Sequence, residues 1–404
     1  MNIAIFSDSY LPTKSGVVTV IIQLREQLIK LGHNVILVTV ETTDEYETYD
    51  PDIYRVHSVP LGLGTDQFLG VPAMHPLIHF LKEKNIDIIH CHTEFGIGKA
   101  GLRAARILKV PAVCTTHTMW ADFYKYYLPL GKIIPPVVID KILKKYYGKF
   151  SSLIGVSTKA RNYFKKENIL PDQPSVVIPN AIDQSKFIAK HSSEEEKKAL
   201  RSKYNINDDD ILLIFVGRIG QEKRVEELLE VAKKVTQRNS RIKMMFVGDG
   251  PDLKNLKERA SKEIADGSII FAGFIEWVKV HIYYESADIF VTSSLSEMHS
   301  MTILEAQLSS LPLVVRKDES YFDSIIENKN GFLCDSEDEM VEKILLLSED
   351  KEKRKTFGQN SLEITKNFSI ETHVSRTLKV YEEVIKAYPN KINDKEVMQM
   401  TSIM

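Results

Sequence analysis

Short runs of apolar residues without polar alternation recur along the whole chain, and each is followed by turn residues and then by a helical pattern. The runs cover 3–6, 34–40, 86–90, 112–115, 153–156 and 176–178 in the first half, and 211–216, 243–247, 269–272, 289–292, 313–315 and 331–333 in the second. Uniformly apolar strands are typical of parallel sheets covered by helices on both faces. The pattern therefore predicts an α/β chain with doubly wound, Rossmann-like folding.

The two series of strands are separated by a Pro-Asn-Ala-Ile-Asp turn at 179–183. A length of 404 residues also suits two domains better than one core. We therefore predict two Rossmann-like domains facing each other across a cleft, the first over 1–180 and the second over 181–372. The closing segment, about 373–390, has apolar residues at helical spacing and is predicted to pack back onto the first domain.

Composition narrows the class of protein. Contents of 43% hydrophobic and 27% charged residues are ordinary for globular proteins. The chain enters a strand at once without a basic leader, and no run approaches the roughly 18 apolar residues of a membrane-spanning helix. Cys91, Cys114 and Cys334 lack disulfide or metal-ligand spacing and are expected to be reduced core thiols. These features predict a cytoplasmic protein.

The net charge of −2 is unevenly distributed, and one segment of the chain forms a basic block. Between Lys99 and Lys166 fourteen Lys and Arg face two acids, which gives +12 and leaves −14 for the rest of the chain. The block holds five clustered aromatic residues and a basic amphipathic stretch; these are Trp120, Phe123, Tyr124, Tyr126 and Tyr127, with Lys141, Lys144 and Lys145. This combination favours an anionic membrane surface, with basic helix faces and core packing as the alternatives. No nucleic-acid-binding motif is visible.

Two carboxylates, Glu297 and Glu305, stand eight residues apart where a predicted strand passes through a loop into a helix. Ligands bind beyond the carboxyl ends of strands in open α/β sheets, and backbone N–H groups at a helix start suit a phosphate. Ser300, Met301 and Thr302 would supply those N–H groups. A phosphate site between two polyol-binding carboxylates fits a nucleotide-sugar, with a solvated first helical turn as the alternative.

Two further strand ends carry groups that suit a diphosphate. Arg218 and Lys223 lie five residues apart after the run 211–216, and both can bind phosphate oxygens. Gly16 stands at a helix start after the first strand, where the backbone can approach a negative group; a simple turn is the alternative.

Histidines follow two strands of the first half. His117 comes directly after the run 112–115 and is a candidate contact to a reacting sugar, with a structural role as the alternative. His90 and His92 alternate on a predicted strand without further ligands at suitable spacing, so we expect no metal site there.

Together Gly16, His117, Arg218, Lys223 and the Glu297-x7-Glu305 motif resemble glycosyltransferase family 4, the retaining GT-B enzymes, over nearly the whole chain. The resemblance implies that the second domain binds the donor and that neither a metal ion nor a cofactor takes part. Arg218 and Lys223 would then neutralise the diphosphate leaving group, Glu305 would bind the ribose, and Glu297 would contact the donor sugar. His117 would lie beside the transferred sugar, and Gly16 would approach the phosphate.

Within that family, segments 5–18, 92–98 and 116–124 resemble bacterial 1,2-diacylglycerol 3-glucosyltransferases. This implies a hexosyltransferase that takes glucose from a UDP-sugar to diacylglycerol while bound peripherally to the inner face of the cell membrane. Polyprenyl-linked, polysaccharide and glycolipid acceptors stay open. Ser300 stands where family members commonly carry glycine, and a positive φ there would strain it. A catalytically weak partner protein is therefore a further alternative.

Overall fold

A computed structural model describes residues 1–13, 15–41, 50–60, 68–118, 120, 133–167, 169–184, 191–393 and 395. The chain forms two compact units. The first unit comprises Met1–Ala181 and Ile370–Met404, and the second comprises Ile182–Ser369.

The first unit is a parallel sheet with helices. Its strands are β1 (Asn2–Phe6), β2 (Asn34–Val40), β3 (Ile53–Val56), β4 (Ser58–Pro60), β5 (Phe68–Gly70), β6 (Ile88–Cys91), β7 (Ala112–Thr116), β8 (Ser152–Gly155) and β9 (Ser175–Val177). Its helices before the second unit are α1 (Gly16–Lys30), α2 (Met74–Glu83), α3 (Gly96–Leu108), α4 (Pro136–Tyr147) and α5 (Thr158–Phe164). Seven strands pair in the order β3-β2-β1-β6-β7-β8-β9, and β4 with β5 forms a separate antiparallel pair.

The second unit repeats this plan. Its strands are β10 (Ile211–Val216), β11 (Ile242–Val247), β12 (Ile269–Gly273), β13 (Ile289–Thr292), β14 (Leu313–Arg316) and β15 (Gly331–Cys334). Its helices are α6 (Glu194–Lys203), α7 (Val225–Arg238), α8 (Leu253–Arg259), α9 (Ser261–Ala265), α10 (Trp277–Glu285), α11 (Met301–Leu308), α12 (Glu337–Glu349) and α13 (Lys351–Thr365). The parallel order β12-β11-β10-β13-β14-β15 confirms the predicted Rossmann-like folding.

The last helix, α14 (Ile370–Ala387), belongs to the first unit and packs against α1. Val374 and Tyr381 on α14 are fully buried and join Ile3 and Leu24 in one apolar core. The chain leaves and re-enters the first unit at neighbouring points, because the backbone N–H of Ile182 donates to the carbonyl of Phe368 at 3.1 Å.

Burial explains which strands the sequence pattern found and which it missed. The central strands of both sheets are almost entirely buried, and buried strands are apolar throughout. Strands β3, β4 and β5 are only three or four residues long. Most residues of β3 and β5 are half-buried, so these strands lack a continuous apolar run. The three cysteines are buried and free.

Candidate active site

In the second unit, the loops after β10 and β13 leave from adjacent strands. These two strands flank the point where the strand order reverses, because β10 pairs with β11 on one side and β13 on the other. Loops at such a point diverge and leave a crevice at the carboxyl edge of the sheet, where doubly wound proteins bind ligands. Arg218 and Lys223 lie on the first loop, and Glu297 lies on the second.

A side-chain ion pair joins the two loops. The Nζ atom of Lys223 lies 2.5 Å from Oε1 of Glu297, and the Oγ atom of Ser294 donates to the same oxygen at 3.1 Å. Both charged side chains are largely but not completely buried, with exposed fractions of 25% and 16%. The structure thus brings together the cation that sequence reasoning gave to the diphosphate and the carboxylate that it gave to the sugar.

Hydrogen bonds between uncharged groups also hold these two loops in place. The Oγ atom of Ser296 donates to the carbonyl of Glu222 at 2.7 Å, and the buried Tyr321 hydroxyl donates to the carbonyl of Ser294 at 2.9 Å. Sequence reasoning missed these residues because serines in loops carry no distinctive pattern. Their effect is to fix the backbone on both sides of Glu297.

Arg218 is the more exposed of the two cations. Its side chain is 47% exposed, and its Nε atom lies 3.7 Å from Oε1 of Glu222. The backbone beside it depends on glycine, because a Cβ atom on Gly248 would lie 1.9 Å from the carbonyl oxygen of Gly217. Gly248 also has a φ of +141°, which side chains rarely permit. The loops after β10 and β11 can therefore approach each other closely beside Arg218.

Helix α11 begins at Met301, with Ser300 as its N-cap residue. Among the described residues no side chain caps its first turn, and the Ser300 and Thr302 hydroxyl oxygens lie 3.0 Å apart. The φ of Ser300 is −78°, so the strain that a positive φ would have caused at this serine does not arise. The first-turn N–H groups of Met301 and Thr302 are thus available to an anion at the helix start.

Glu305 lies one turn further along α11 and is held by two donors from α10. The Trp277 indole N–H donates to Oε1 at 3.0 Å, and the Tyr284 hydroxyl donates to Oε2 at 2.8 Å. Burial raises the pKa of the Glu305 carboxyl, and the two hydrogen bonds oppose that rise. Because a carboxylate can accept about four hydrogen bonds, Glu305 keeps acceptor capacity for a diol.

In the first unit, α1 begins at Gly16 as the sequence predicts. Ser15 is its N-cap residue, and the Ser15 Oγ atom accepts from the backbone N–H of Val18 at 3.3 Å. The strand order of this sheet reverses at β1 and β6, so the loop that ends at Gly16 also leaves beside a reversal point.

His117 directly follows β7 and is part of a row of imidazoles. Its Nε2 atom lies 3.0 Å from Nδ1 of His92, and the His92 ring in turn packs against His90 at a tilt of 38°, with centroids 4.1 Å apart. Burial lowers the pKa of His117 to about 3 and lowers the pKa of His92 well below its usual value, so both rings are neutral. Sequence reasoning considered His90 and His92 only as metal ligands and missed their packing against His117.

A second buried polar group lies in the loop between β6 and α3. The Tyr147 hydroxyl donates to Oε1 of Glu94. Burial raises the pKa of Glu94 to about 7. Trp120 is only 7% exposed and packs on Phe95, so the expectation that it serves as an exposed membrane contact is wrong. The other aromatic residues of that cluster, Phe123, Tyr124, Tyr126 and Tyr127, lie outside the described residues.

Helix α4 carries the basic stretch. Ile139, Leu143, Tyr146 and Tyr147 are buried on one face, which places Tyr146 and Tyr147 in the core. The opposite face exposes three lysines and three apolar side chains at helical spacing: Lys141, Lys144 and Lys145 with Val137, Val138 and Ile142. A face that mixes cations with exposed aliphatic groups is typical of helices that lie on anionic membranes.

The described residues contain neither a metal-binding cluster nor a membrane-spanning helix. Within the described ranges, no three His, Cys, Asp or Glu side chains are grouped so that they could hold a metal ion. Across those same ranges, every helix is too short or too polar to cross a bilayer.

Comparison with known proteins identifies the family. The profile of Glycosyl transferases group 1 matches residues 196–363, and that of Glycosyltransferase Family 4 matches residues 14–186. The alpha-monoglucosyldiacylglycerol synthase of Acholeplasma laidlawii is 31% identical over 401 residues, which cover 98% of this chain and 100% of that protein. This chain belongs to glycosyltransferase family 4.

Other relatives agree with this assignment. The glycosyltransferase is 32% identical to the alpha-monoglucosyldiacylglycerol synthase of Streptococcus pneumoniae over 329 residues, which cover 81% of this chain and 74% of that protein. The crystal structure of Anabaena Alr3699/HepE in complex with UDP aligns with a TM-score of 0.74 and 17% identity, covering 95% of this chain and 100% of that one. This structural likeness confirms the GT-B fold class.

Proposed function

We propose that this glycosyltransferase moves a hexose, with glucose as the expected sugar, from a UDP-sugar to a hydroxyl of diacylglycerol. The observation that carries the proposal is the 31% identity along the full length of a protein named alpha-monoglucosyldiacylglycerol synthase. UDP-glucose holds its glucose in the α configuration. An α-linked product would therefore mean retention at the anomeric carbon, and retention is part of the proposal.

The second unit supplies groups suited to each part of the donor. Glu305, fixed by Trp277 and Tyr284, accepts hydrogen bonds from the ribose diol. Lys223 and Arg218 bind the diphosphate, and Glu297 accepts from the sugar hydroxyls. The free N–H groups at the start of α11, from Ser300, Met301 and Thr302, bind donor oxygens between those two carboxylates.

In the reaction the bond between the anomeric carbon and the diphosphate oxygen breaks, and the acceptor oxygen bonds to the same face of that carbon. The acceptor proton passes to the departing phosphate oxygen, so no protein base is required. Negative charge develops on the diphosphate, and Lys223 and Arg218 are placed to stabilise it. Because these two cations can neutralise the leaving group, we propose that neither a metal ion nor a cofactor takes part.

The first unit would receive the acceptor, with His117 beside the transferred sugar and Gly16 near the phosphate. Helix α4 supports a lipid acceptor, since its exposed lysines and aliphatic residues suit the surface of an anionic bilayer. Each cation near such a surface contributes about 1 kcal/mol, so the basic block could hold the enzyme there reversibly. We therefore propose a peripheral position on the inner face of the cell membrane.

A radiolabel assay tests the proposal. Purified enzyme is incubated with labelled UDP-glucose, UDP-galactose or GDP-mannose and with vesicles of diacylglycerol and anionic phospholipid, in EDTA and in Mg²⁺. The expected result is chloroform-soluble label that requires diacylglycerol, is strongest with UDP-glucose and persists in EDTA. The anomeric configuration of the product is then read by NMR.

Each of the other outcomes would overturn one part of the proposed function. Free sugar without a lipid product would keep the donor and discard diacylglycerol, so that polyprenyl-linked, polysaccharide and glycolipid acceptors come next. Label that requires Mg²⁺ would overturn metal independence. No turnover and no UDP binding would favour the catalytically weak partner protein, although the ordinary φ of Ser300 removes the observation that first suggested it.

A further inference from the structure

His92 and His117 leave the ends of two neighbouring strands, β6 and β7. Their rings are nearly parallel, with an interplanar angle of 18° and centroids 5.3 Å apart, and one hydrogen bond of 3.0 Å joins Nδ1 of His92 to Nε2 of His117. His117 is partly exposed, and its Nδ1 atom bonds to no described residue. Any ligand of this imidazole therefore meets Nδ1.

The proton count of the pair allows two arrangements. Both rings are neutral because burial disfavours their charged forms, so each carries one N–H. Either His92 donates through Nδ1–H, or His117 donates through Nε2–H. In the first case His117 offers an Nδ1–H donor to a ligand, and in the second it offers a bare Nδ1 acceptor.

The far nitrogen of His92 distinguishes the two cases. Its Nε2 atom is buried and has no hydrogen-bond partner. If His117 were the donor, this Nε2 would carry a buried, unpaired N–H, and such donors are rare in folded proteins. If His92 is the donor, the same atom is only an unpaired lone pair. The first arrangement is therefore the stable one.

The neighbouring His90 holds the ring of His92 in this orientation. Nδ1 of His90 lies 2.5 Å from the Tyr381 hydroxyl on α14, and its Nε2 lies 2.7 Å from Oγ1 of Thr115. With both nitrogens occupied, His90 is fixed, and its ring covers one face of His92. The orientation of His92 is thus set by packing rather than by the ligand.

We infer that His92 is a positioning residue that keeps His117 as its Nδ1–H tautomer, so that His117 donates a hydrogen bond to an oxygen of the sugar. This inference rests on the proposed role of His117 beside the transferred sugar. It assigns to His92 a function that its spacing alone did not suggest.

The tautomer can be read directly in the resting enzyme. Protein labelled with ¹⁵N-histidine is compared with a His117→Gln variant, which assigns His117 among the 11 histidines. The expected spectrum shows the proton of His117 on Nδ1. A proton on Nε2 would overturn the inference, and this measurement does not depend on which sugar or acceptor the enzyme uses.

Two variants of nearly equal size, His92→Asn and His92→Asp, then distinguish hydrogen-bond donation by residue 92 from its effect on packing. In His92→Asn the amide nitrogen can replace Nδ1 as a donor, whereas in His92→Asp an ionised carboxylate can only accept. We expect kcat within about threefold of wild type for Asn and a loss of about 10²-fold for Asp, with unchanged KM for the donor. Melting curves and UDP binding check that both variants fold.

Equal losses in both variants, or an unaffected Asp variant, would show that His92 acts only through shape. If the wild type instead made no glycolipid while its His117 carried the proton on Nδ1, the proposed function would fail and the tautomer assignment would stand.

Discussion

Lys223 and Glu297 are bound to each other at 2.5 Å, although 74 residues separate them in sequence. The pair connects the loops after β10 and β13, where the strand order of the second unit reverses. An ammonium group has three N–H donors and can bond to a carboxylate and to a phosphate at the same time. The pair thereby fixes the position of a positive charge at the proposed leaving group.

Replacing Lys223 by alanine tests this charge. We expect kcat to fall by about 10²–10³-fold, because charge on the departing diphosphate loses its stabilisation. Stability should change little, since Glu297 keeps the hydrogen bond from Ser294. Steady-state kinetics and a thermal melt measure both effects. Lys234→Ala, which removes an exposed Lys–Asp pair in the same unit, is the matched control and should leave turnover unchanged. Unaltered activity in Lys223→Ala would refute the diphosphate assignment.

Trp277→Phe tests the support of Glu305. The variant keeps an aromatic ring but loses the N–H that donates to Oε1, while Tyr284 still donates to Oε2. A hydrogen bond to a charged group contributes about 1.5–3 kcal/mol, so we expect UDP to bind about ten- to a hundredfold more weakly. Titration calorimetry measures the change.

The only other tryptophan provides the control for that experiment. Trp120→Phe lies in the first unit and should bind UDP as wild type does. Its remaining fluorescence comes from Trp277 alone and should respond to UDP. If UDP binds with normal affinity but leaves the fluorescence of Trp277 unchanged, the nucleotide binds away from Glu305.

Glu94 predicts a pH dependence of stability. Burial raises its folded pKa to about 7, above its usual value of 4.5, so between these two pH values the carboxyl is neutral in the folded state while the unfolded chain ionises. Unfolding then releases a proton, and the free energy of unfolding falls as the pH rises from about 4.5 to about 7, by at most about 1.4 kcal/mol per pH unit. Above about pH 7 the folded carboxyl ionises too, and this contribution to the slope ends.

Glu94→Gln isolates that effect. The amide oxygen can still accept from Tyr147, but the residue no longer titrates. We expect the variant to gain stability relative to wild type between pH 5 and pH 7 in urea unfolding, with no further gain above. Asp8, whose pKa burial also raises, is present in both proteins, and its charge is the last-ranked cause of the raised Glu94 pKa. Parallel stability curves for the two proteins would show that Glu94 is ionised in the fold.

The lysines of α4 predict salt-sensitive membrane binding. Replacing Lys141, Lys144 and Lys145 together by glutamine should weaken binding to anionic vesicles by about 10²-fold, because each cation contributes about 1 kcal/mol. Co-sedimentation at low and high salt measures this. A triple variant of exposed lysines in the second unit, Lys198, Lys351 and Lys355, keeps the same net charge and should bind normally. Equal losses in both variants would mean that total charge, not α4, determines binding.

Several features of the site followed from the sequence because they are local. Glu297 in a loop, Glu305 on a helix, Gly16 at a helix start and the two cations after β10 all depend on short stretches of chain. The membrane role of Trp120 was wrong for the same reason, since a local aromatic cluster does not reveal that this side chain is buried against Phe95.

The sequence by itself determined the two Rossmann-like sheets and the family, because buried parallel strands must be apolar and strand-end motifs are contiguous. Only the tertiary structure decided which side chains meet: Lys223 with Glu297, Trp277 with Glu305, and His92 with His117. Each pair joins residues 25 to 74 positions apart in sequence. Such contacts depend on which strands become neighbours in the sheet and on which atoms are left without water. A short stretch of sequence indicates neither the strand order nor the burial of a given atom.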